Sequence, residues 1–257
     1  MRTVAISGAA SGIGAATRRR LERDGVRVLG CDLREGEVVA DLAVADERER
    51  AVAELSRAAD GRLDGLVVCA GLGPHVEPAA QIASVNFFAA AALLEGLRPA
   101  LARGAEPAAV AISSNSISIT PDLQGPFLDA CLAGEEARAR ELAGELPSVT
   151  VYAAAKLALA HFVRRRAPSA EWGGAGIRLN AVAPGATLTP LLQAGLDRPG
   201  LGESIRALPI PLGGEPGRPE QIAEAIAFLL SPAASFCCGS LLFVDGGSDA
   251  LIRGGGF

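Results

Sequence analysis

The sequence predicts an α/β protein: a Rossmann-type, doubly wound parallel sheet with helices on both faces. Short β-rich segments alternate with helical patterns along the 257 residues, and right-handed crossovers then generate a doubly wound sheet. The strand segments are almost continuously apolar, as expected for parallel strands covered on both faces. A hydrophobic content of 49% is enough for a substantial core, so we expect a single domain over residues 1–257.

The N-terminal segment predicts a dinucleotide site. Thr3–Ser7 is a short strand pattern, and a turn containing Gly8, Gly12 and Gly14 leads into a helix through about Arg23. Glycines at these positions allow a tight turn, close approach of the backbone to a pyrophosphate and close helix packing, while the helix N-terminus faces the anion. An isolated glycine cluster is also compatible with an ordinary strand-to-helix loop. The acid that ends the second strand favours the dinucleotide interpretation.

That acid, Asp32, follows the strand Val26–Cys31 and predicts a preference for NAD. A carboxylate here accepts hydrogen bonds from the adenosine ribose hydroxyls and repels a 2′-phosphate. Arg34 is the contrary observation, because a guanidinium two residues further on could bind that phosphate. Its interpretation as a solvated turn residue is favoured, and residual use of NADP stays open.

The alternation continues through the middle of the chain. The connection after Asp32 is too short for a full crossover helix. The predicted elements are a strand over 38–42, a helix over 46–59, a strand over 63–68, a helix over 78–101 and a strand over 108–114. Asn86 within the apolar helix is unexpected, and the default interpretation is a buried amide bonded to backbone. Ser113 and Ser114 end a parallel strand, where ligands of such sheets bind, although alone they would be turn or cap residues.

Two segments depart from this rhythm. Residues 115–148 are predicted to be an insertion on the single domain, with a possible helix over Leu132 to Leu146. Residues 186–217 are rich in Pro, Gly and Leu with little regular pattern, as expected of a mobile lid with an apolar surface. A helix from Pro219 to Leu230 and a strand from Ser240 to Val244 complete the predicted fold.

Tyr152 and Lys156 are the only tyrosine and the only lysine of the chain. Their surroundings are rich in helix formers, and residues four apart share one helical face. A phenol titrates near ~10, and an adjacent cation favours its ionised form. Because arginine supplies the other cations, the pair predicts proton-transfer chemistry; a helix that merely carries both residues is the alternative.

Composition excludes several classes of function. The net charge of −5 offers no broad basic face, so no nucleic-acid partner is expected. The five cysteines have neither zinc-ligand spacing nor the density of a disulfide scaffold, which predicts no metal site and a reducing compartment. No cleavable signal is visible, and no apolar run reaches the ~18 residues of a membrane span. A cytoplasmic protein is expected.

Taken together and in this order, the motifs resemble those of the short-chain dehydrogenase/reductase family over nearly the whole chain. They are Ser7 to Gly14, Asp32, Asp41-Leu42, Cys69-Ala70-Gly71, Asn86, Ser114, Tyr152 with Lys156, and Pro184-Gly185 through Thr189. Two residues depart from the family pattern. Serine at 7 replaces the usual threonine, and cysteine at 69 replaces the usual asparagine.

The resemblance implies a catalytic set of Asn86, Ser114, Tyr152 and Lys156. Tyr152 would be the general acid/base, Lys156 would lower its pKa and bond the nicotinamide ribose, Ser114 would hold the substrate oxygen, and Asn86 would anchor a water-linked proton path. The implied cofactor is NAD. Its implied contacts are Gly8, Ser11, Gly12, Ile13, Gly14, Asp32, Asp41, Leu42, Cys69, Ala70, Gly71, Tyr152, Lys156, Pro184, Gly185, Thr187 and Thr189.

The 38 positions between Ser114 and Tyr152 exceed the common family spacing. In this respect and in its C-terminal segments the chain is similar to the bacterial 3α-hydroxysteroid dehydrogenase/carbonyl reductases. That similarity implies 3α-hydroxysteroid and 3-ketosteroid substrates with wider activity on aldehydes and ketones. A lid containing Leu188, Leu191, Leu192, Leu196 and Ile205 fits a bulky apolar substrate, although these leucines could simply pack the lid down.

The insertion directly precedes the Tyr/Lys helix, which many relatives use in a subunit interface, so we expect a homodimer formed by another surface. Two alternative functions stay open. The first is a same-family dehydrogenase for another hydrophobic alcohol or ketone, because a fold does not choose a substrate. The second is a non-catalytic dinucleotide-sensing regulator, which would tolerate loss of the proton-transfer residues. The retained Tyr152 and Lys156 favour an enzyme.

Overall fold

Seven parallel strands form one sheet in the order β3-β2-β1-β4-β5-β6-β7, in a computed structural model that describes residues 1–256. The strands are β1 Thr3–Ser7, β2 Arg27–Asp32, β3 Val38–Val39, β4 Gly65–Val68, β5 Ala108–Ile112, β6 Arg178–Pro184 and β7 Leu241–Val244. The chain winds outward in opposite directions from β1 and β4, so the carboxyl ends of these two strands bound a topological switch point. The predicted doubly wound fold is confirmed.

Helices cover both faces of the sheet. They are α1 Gly12–Arg23, α2 Ala45–Ala58, α3 Ala80–Ala83, α4 Ala90–Leu101, α5 Ser116–Ile119, α6 Pro126–Ala133, α7 Glu136–Ala143, α8 Ser148–Arg166, α9 Pro190–Leu196, α10 Leu201–Arg206, α11 Pro219–Leu230 and α12 Ser248–Arg253. Helices α1 and α11 pack on one face, and α2, α4 and α8 on the other. Strands β4 and β5 are buried along their whole length, because apolar side chains point into both layers.

The connection after β2 is abbreviated, as predicted. The loop folds back so that the Gly30 N–H donates to Glu37 Oε2 over 2.6 Å, while Arg18 of α1 binds the same carboxylate. Strand β3 is shorter than the predicted 38–42, because only Val38 and Val39 pair with β2. These contacts hold the chain beside the carboxyl end of β2 without a crossover helix.

The insertion contains two main helices: α7 lies within the helix predicted over Leu132–Leu146, and α6, which lies almost wholly before that range, is an additional helix. Gly134 ends α6 in the left-handed region at φ 78°, a conformation that glycine adopts without steric cost. Helix α6 packs on α8, and α7 packs on both α6 and α3. Buried side chains such as Phe127, Leu128 and Cys131 join the insertion to the core, so it covers the outer side of the Tyr/Lys helix.

Residues 186–217 are more regular than predicted, because they contain α9 and α10. Thr189 caps α9 by accepting a hydrogen bond from the Leu192 N–H at 3.1 Å, and Pro190 suits the first helical position. Two backbone hydrogen bonds join the ends of the segment: the Leu188 N–H donates to Gly217 O, and the Gly217 N–H donates to Ala186 O. The segment is therefore a helical cover anchored at its base.

One helical run, Ala79–Leu101, is long and apolar enough to cross a membrane by length and composition. The sequence-based expectation that no run reaches this length is therefore wrong. Of its most apolar window, 67% is buried inside the protein, where α4 packs on α2 and β4. Its apolar character accordingly matches a core helix of the α/β fold.

Candidate active site

The turn after β1 is shaped by glycines, and at Gly8 and Gly14 the neighbouring backbone leaves no room for a side chain. Gly8 has φ +70°, and a Cβ there would lie 2.8 Å from the Ala70 Cα; a Cβ at Gly14 would lie 1.9 Å from the Gly8 carbonyl oxygen. A Cβ at Gly12 would come within 3.1 Å of Thr189 Cγ2. The turn thus presents bare backbone to the space beneath the lid, which suits a pyrophosphate at the start of a helix.

The two departures from the family pattern have different consequences. The Ser7 hydroxyl accepts hydrogen bonds from the N–H groups of Cys69 and Ala70 over 3.1 and 3.2 Å. It therefore links the ends of β1 and β4. The Cys69 thiol is neutral, because burial raises its pKa to about 12. A thiol is a weak hydrogen-bond group, so this side chain is a poor substitute for an amide.

Two acidic side chains, Asp32 and Asp41, line the cleft at the end of β2 and after β3. Asp32 Oδ2 accepts from the Ala10 N–H at 3.0 Å, and Oδ1 accepts from the Leu33 N–H at 2.7 Å. Asp41 Oδ1 accepts from the Ala43 N–H at 2.9 Å. Arg34 is exposed and does not line the cleft. Among the described residues that line the cleft, the charged side chains besides Lys156 are the carboxylates Asp32 and Asp41. Carboxylates suit ribose hydroxyls better than a 2′-phosphate.

Asn86 lies in a π-helical segment, Ser84–Ala89, between α3 and α4. Its amide is fully buried and binds the Leu72 backbone twice: Oδ1 accepts from the N–H at 2.8 Å, and Nδ2 donates to the carbonyl oxygen at 2.9 Å. Such π-segments are frequent at functional sites. A Cβ at Gly71 would lie 3.3 Å from Asn86 Oδ1 and 3.4 Å from Lys156 Nζ. Asn86 and Lys156 therefore flank one small space.

Helix α8 carries Tyr152 and Lys156 over the carboxyl end of β5. Lys156 Nζ donates to the Ile112 carbonyl oxygen at 2.8 Å, and the Ser113 hydroxyl donates to the Lys156 carbonyl oxygen at 3.0 Å. The Ser114 hydroxyl accepts from the Ser116 N–H at 3.1 Å. These bonds fix the helix relative to the strand, so the phenol, the ammonium and the Ser114 hydroxyl share one space.

Burial dominates the acid–base properties of this group. It raises the pKa of Tyr152 above its ordinary value, while a hydrogen bond with Ser114 acts to lower it. Burial lowers the pKa of Lys156 to about 8. The expectation that Lys156 gives Tyr152 a lowered pKa is therefore not met in the protein chain alone. Ser114 is the neighbour that favours the phenolate.

One cavity of about 640 Å³ connects these groups. It is lined by three predicted catalytic residues, with Asn86 buried behind Leu72. It is also lined by every residue expected to contact the dinucleotide: Gly8, Ser11, Gly12, Ile13, Gly14, Asp32, Asp41, Leu42, Cys69, Ala70, Gly71, Tyr152, Lys156, Pro184, Gly185, Thr187 and Thr189. The structure thus brings together residues spread over most of the chain.

Sequence reasoning missed much of the apolar wall. Leu191, Leu192 and Ile205 line the cavity as predicted, but Leu188 and Leu196 do not, and Leu188 is 54% exposed. The additional apolar lining consists of Leu72, Pro74, Val85, Ile119, Val149, Leu201 and Leu208. Leu72 and Pro74 come from a loop and Ile119 from the insertion, whereas Val85 lies in the π-helical segment and Val149 at the start of α8. Leu201 and Leu208 belong to the lid, where hydrophobic periodicity gives little signal.

The fold and this cleft define a dinucleotide-binding oxidoreductase, with the glycine turn at the switch point and a Ser-Tyr-Lys group beside it. The sequence model of the short chain dehydrogenase family matches residues 2–122, and that described as enoyl-(acyl carrier protein) reductase matches residues 141–249. The chain belongs to the short-chain dehydrogenase/reductase family. Within the described residues 1–256, no cluster of three or more His, Cys, Asp or Glu side chains could hold a metal ion.

Curated relatives match the chain over nearly its full length. It is 48% identical to 3-alpha-hydroxysteroid dehydrogenase/carbonyl reductase of Comamonas testosteroni, covering 98% of each sequence. It is 33% identical to cis-4-hydroxycyclohexanecarboxylate dehydrogenase of Sinomonas cyclohexanicum, covering 97% of each. Among solved structures, 3-alpha-hydroxysteroid dehydrogenase from Pseudomonas sp. B-0831 in complex with NADH superposes with a TM-score of 0.96. The identity is 47%, covering 99% of this chain and 100% of that one.

Proposed function

We propose that this protein is an NAD(H)-dependent oxidoreductase that interconverts 3α-hydroxysteroids and 3-ketosteroids, with wider carbonyl reductase activity. The observation that carries this proposal is the convergence of Ser114, Tyr152 and Lys156 on a largely apolar cleft that also contains the glycine turn. The full-length relatives named for alcohol and steroid oxidation support it. A non-catalytic sensor would have no use for a proton-transfer group placed beside the nicotinamide end.

NAD, when bound, supplies or accepts the hydride at its nicotinamide ring. The glycine turn would hold its pyrophosphate and Asp32 its adenosine ribose, while Lys156 would hold the nicotinamide ribose. Tyr152 would transfer the proton to the carbonyl oxygen in reduction and remove it in oxidation. Ser114 would bind that oxygen and stabilise its developing charge. We assign Asn86 to a water-linked proton path with Lys156, across the space that they flank beside Gly71.

The apolar wall supports a bulky hydrophobic substrate. Leucine and isoleucine side chains of α9 and α10 face the catalytic group from the lid, and Ile119 and Val149 face it from the insertion side. Burying apolar surface contributes about 25 cal/mol per Å² without requiring matched polar partners. The cavity volume lies within the ~300–1,000 Å³ typical of ligand sites.

We further propose a cytoplasmic homodimer with no nucleic-acid or membrane partner. All five cysteines are free, as suits a reducing compartment. The insertion covers α8, while β7 is an edge strand whose neighbourhood exposes Phe228, Phe236 and Leu242. We assign the dimer contact to this edge. Multi-angle light scattering should give the mass of two chains; a tetramer or a monomer would contradict the assignment.

The function is tested by following NADH at 340 nm with a panel of 3-ketosteroids, 3α-hydroxysteroids and small aromatic ketones. We expect turnover with steroids and a severe loss of kcat in Tyr152→Phe with unchanged circular dichroism. Turnover restricted to non-steroid ketones would indicate another substrate of the same chemistry. NADH binding without turnover on the whole panel would support the sensor, and wild-type kcat in Tyr152→Phe would remove the proposed acid/base. Better catalytic efficiency with NADPH would contradict the assignment of Asp32.

A further inference from the structure

The insertion contributes the carboxylate of an ion pair that lies behind the cofactor cleft. Arg48 of α2 and Glu136, the first residue of α7, form two parallel hydrogen bonds: Nη1 to Oε2 at 2.7 Å and Nη2 to Oε1 at 2.6 Å. The side chain of Arg48 is only 6% exposed and that of Glu136 is 26% exposed. Bidentate pairing of this kind holds the planar guanidinium in one orientation.

The remaining donors of Arg48 bind the wall of the cleft. Nε donates to the Leu42 carbonyl oxygen at 2.7 Å, and Nη2 also donates to the Ala43 carbonyl oxygen at 3.0 Å. Leu42 and Ala43 line the cavity beside Asp41. One buried guanidinium therefore joins two backbone groups of the adenosine wall to a carboxylate of the insertion.

Glu136 is in turn held by the helix that carries Asn86. The Ser84 hydroxyl donates to Glu136 Oε1 at 2.8 Å and accepts from Arg140 Nη1 at 2.6 Å. Burial acts to raise the pKa of Glu136, but the bonds from Arg48 and Ser84 outweigh it and keep the pKa below its ordinary value. The carboxylate is thus ionised and fully partnered near neutral pH.

Stability alone gives little reason for this arrangement, because a buried ion pair often stabilises a fold no better than apolar residues of the same volume. What an arginine fork adds is geometry, since apolar side chains could not orient the Leu42 and Ala43 carbonyl groups. We infer that Arg48 is a positioning residue that holds the Leu42–Ala43 wall for the adenosine half of NAD, and that Glu136 makes the insertion a determinant of cofactor affinity. This inference rests on the proposed placement of adenosine beside Asp32 and Asp41.

The test compares two double variants of the full-length protein. Arg48→Met with Glu136→Met removes the buried pair without leaving an unpaired charge. Arg138→Met with Glu141→Met removes an exposed pair on the same helix α7 and is the matched control. Calorimetric titration gives Kd for NADH and for ADP-ribose, which keeps the adenosine, the pyrophosphate and the second ribose and lacks only the nicotinamide. Steady-state kinetics at saturating NADH give kcat and the KM of the ketone.

We expect the buried-pair variant to raise both Kd values by about five- to tenfold, within the range by which mutations without ligand contact alter binding. Its kcat should change by less than about twofold, because the Arg140–Ser84 hydrogen bond still holds the π-helical segment that carries Asn86. A merely structural role would lower the melting temperature and leave Kd unchanged. The control should match wild type in every measurement.

Wild-type Kd values for both ligands in the buried-pair variant would overturn the inference, as would an equal rise in the control. If the buried-pair variant does not fold, Glu136→Gln decides in the same way, because it removes the charge and keeps the shape. NADH that failed to bind wild type would instead refute the proposed function. The two failures are therefore distinguishable.

Discussion

Replacing Ser114 by alanine tests the catalytic group most directly. In the structure Ser114 is 8% exposed and is the one neighbour found to lower the pKa of Tyr152, which burial raises. In the proposed mechanism, its loss removes a hydrogen-bond donor from the substrate oxygen and leaves burial of the phenol unopposed. Removal of one such donor costs about 10²- to 10³-fold in kcat, or about 2.7–4 kcal/mol.

The same substitution should alter the pH dependence in a defined direction. Alcohol oxidation needs the phenolate, so a higher pKa of Tyr152 moves the rising limb of the kcat profile to more alkaline pH. Ser114→Cys, which keeps a weak donor of similar shape, should fall between wild type and Ser114→Ala. Stopped-flow and steady-state rates from pH 6 to 10 provide the assay, with circular dichroism as the control for folding. A kcat within about tenfold of wild type and an unmoved limb would refute the reasoning.

Three further predictions concern charged side chains. Lys156→Arg should lower kcat by at least about 100-fold despite the retained charge, because a longer planar group cannot occupy the Nζ position beside Ile112 O; near-wild-type turnover would contradict this. Asp32→Asn should lower the NADH-to-NADPH ratio of kcat/KM by about tenfold or more, since one repulsive charge is removed; an unchanged ratio would place specificity elsewhere. Asp64→Ala should cost about 2–4 kcal/mol in urea unfolding at pH 7, because Asp64 accepts from the N–H groups of Thr3 and Ala105. Those donors outweigh burial and lower the pKa of Asp64, so the part of this contribution that depends on the ionised carboxylate should shrink as pH falls below ~4 and through the lowered pKa; a difference that does not shrink with falling pH would exclude the ionised carboxylate as its source.

Local sequence pattern was sufficient to predict a strand or helix wherever the structure of that segment depends mainly on its own residues. The strands β1, β2, β5 and β7 and the helices α1, α2 and α11 fall within a few residues of the predicted bounds, because periodicity and turn residues act over short range. The glycine turn and Asp32 were predictable for the same reason. Errors concentrate in the insertion and the lid, where α6 forms ahead of the one predicted helix and α9 and α10 form in a segment without clear periodicity.

The sequence by itself determined the doubly wound fold, the family and the residues expected to act, since each lies in a short motif with its own physical reason. Tertiary structure alone decided their surroundings. Burial, a property of the whole packed molecule, moves the pKa of Tyr152 upward and that of Lys156 down to about 8. Packing of the elements also brings Arg48 and Glu136, which are 88 positions apart, into one buried pair behind the cleft. Contacts of such long range have no signature in local pattern, because they exist only once the elements have packed.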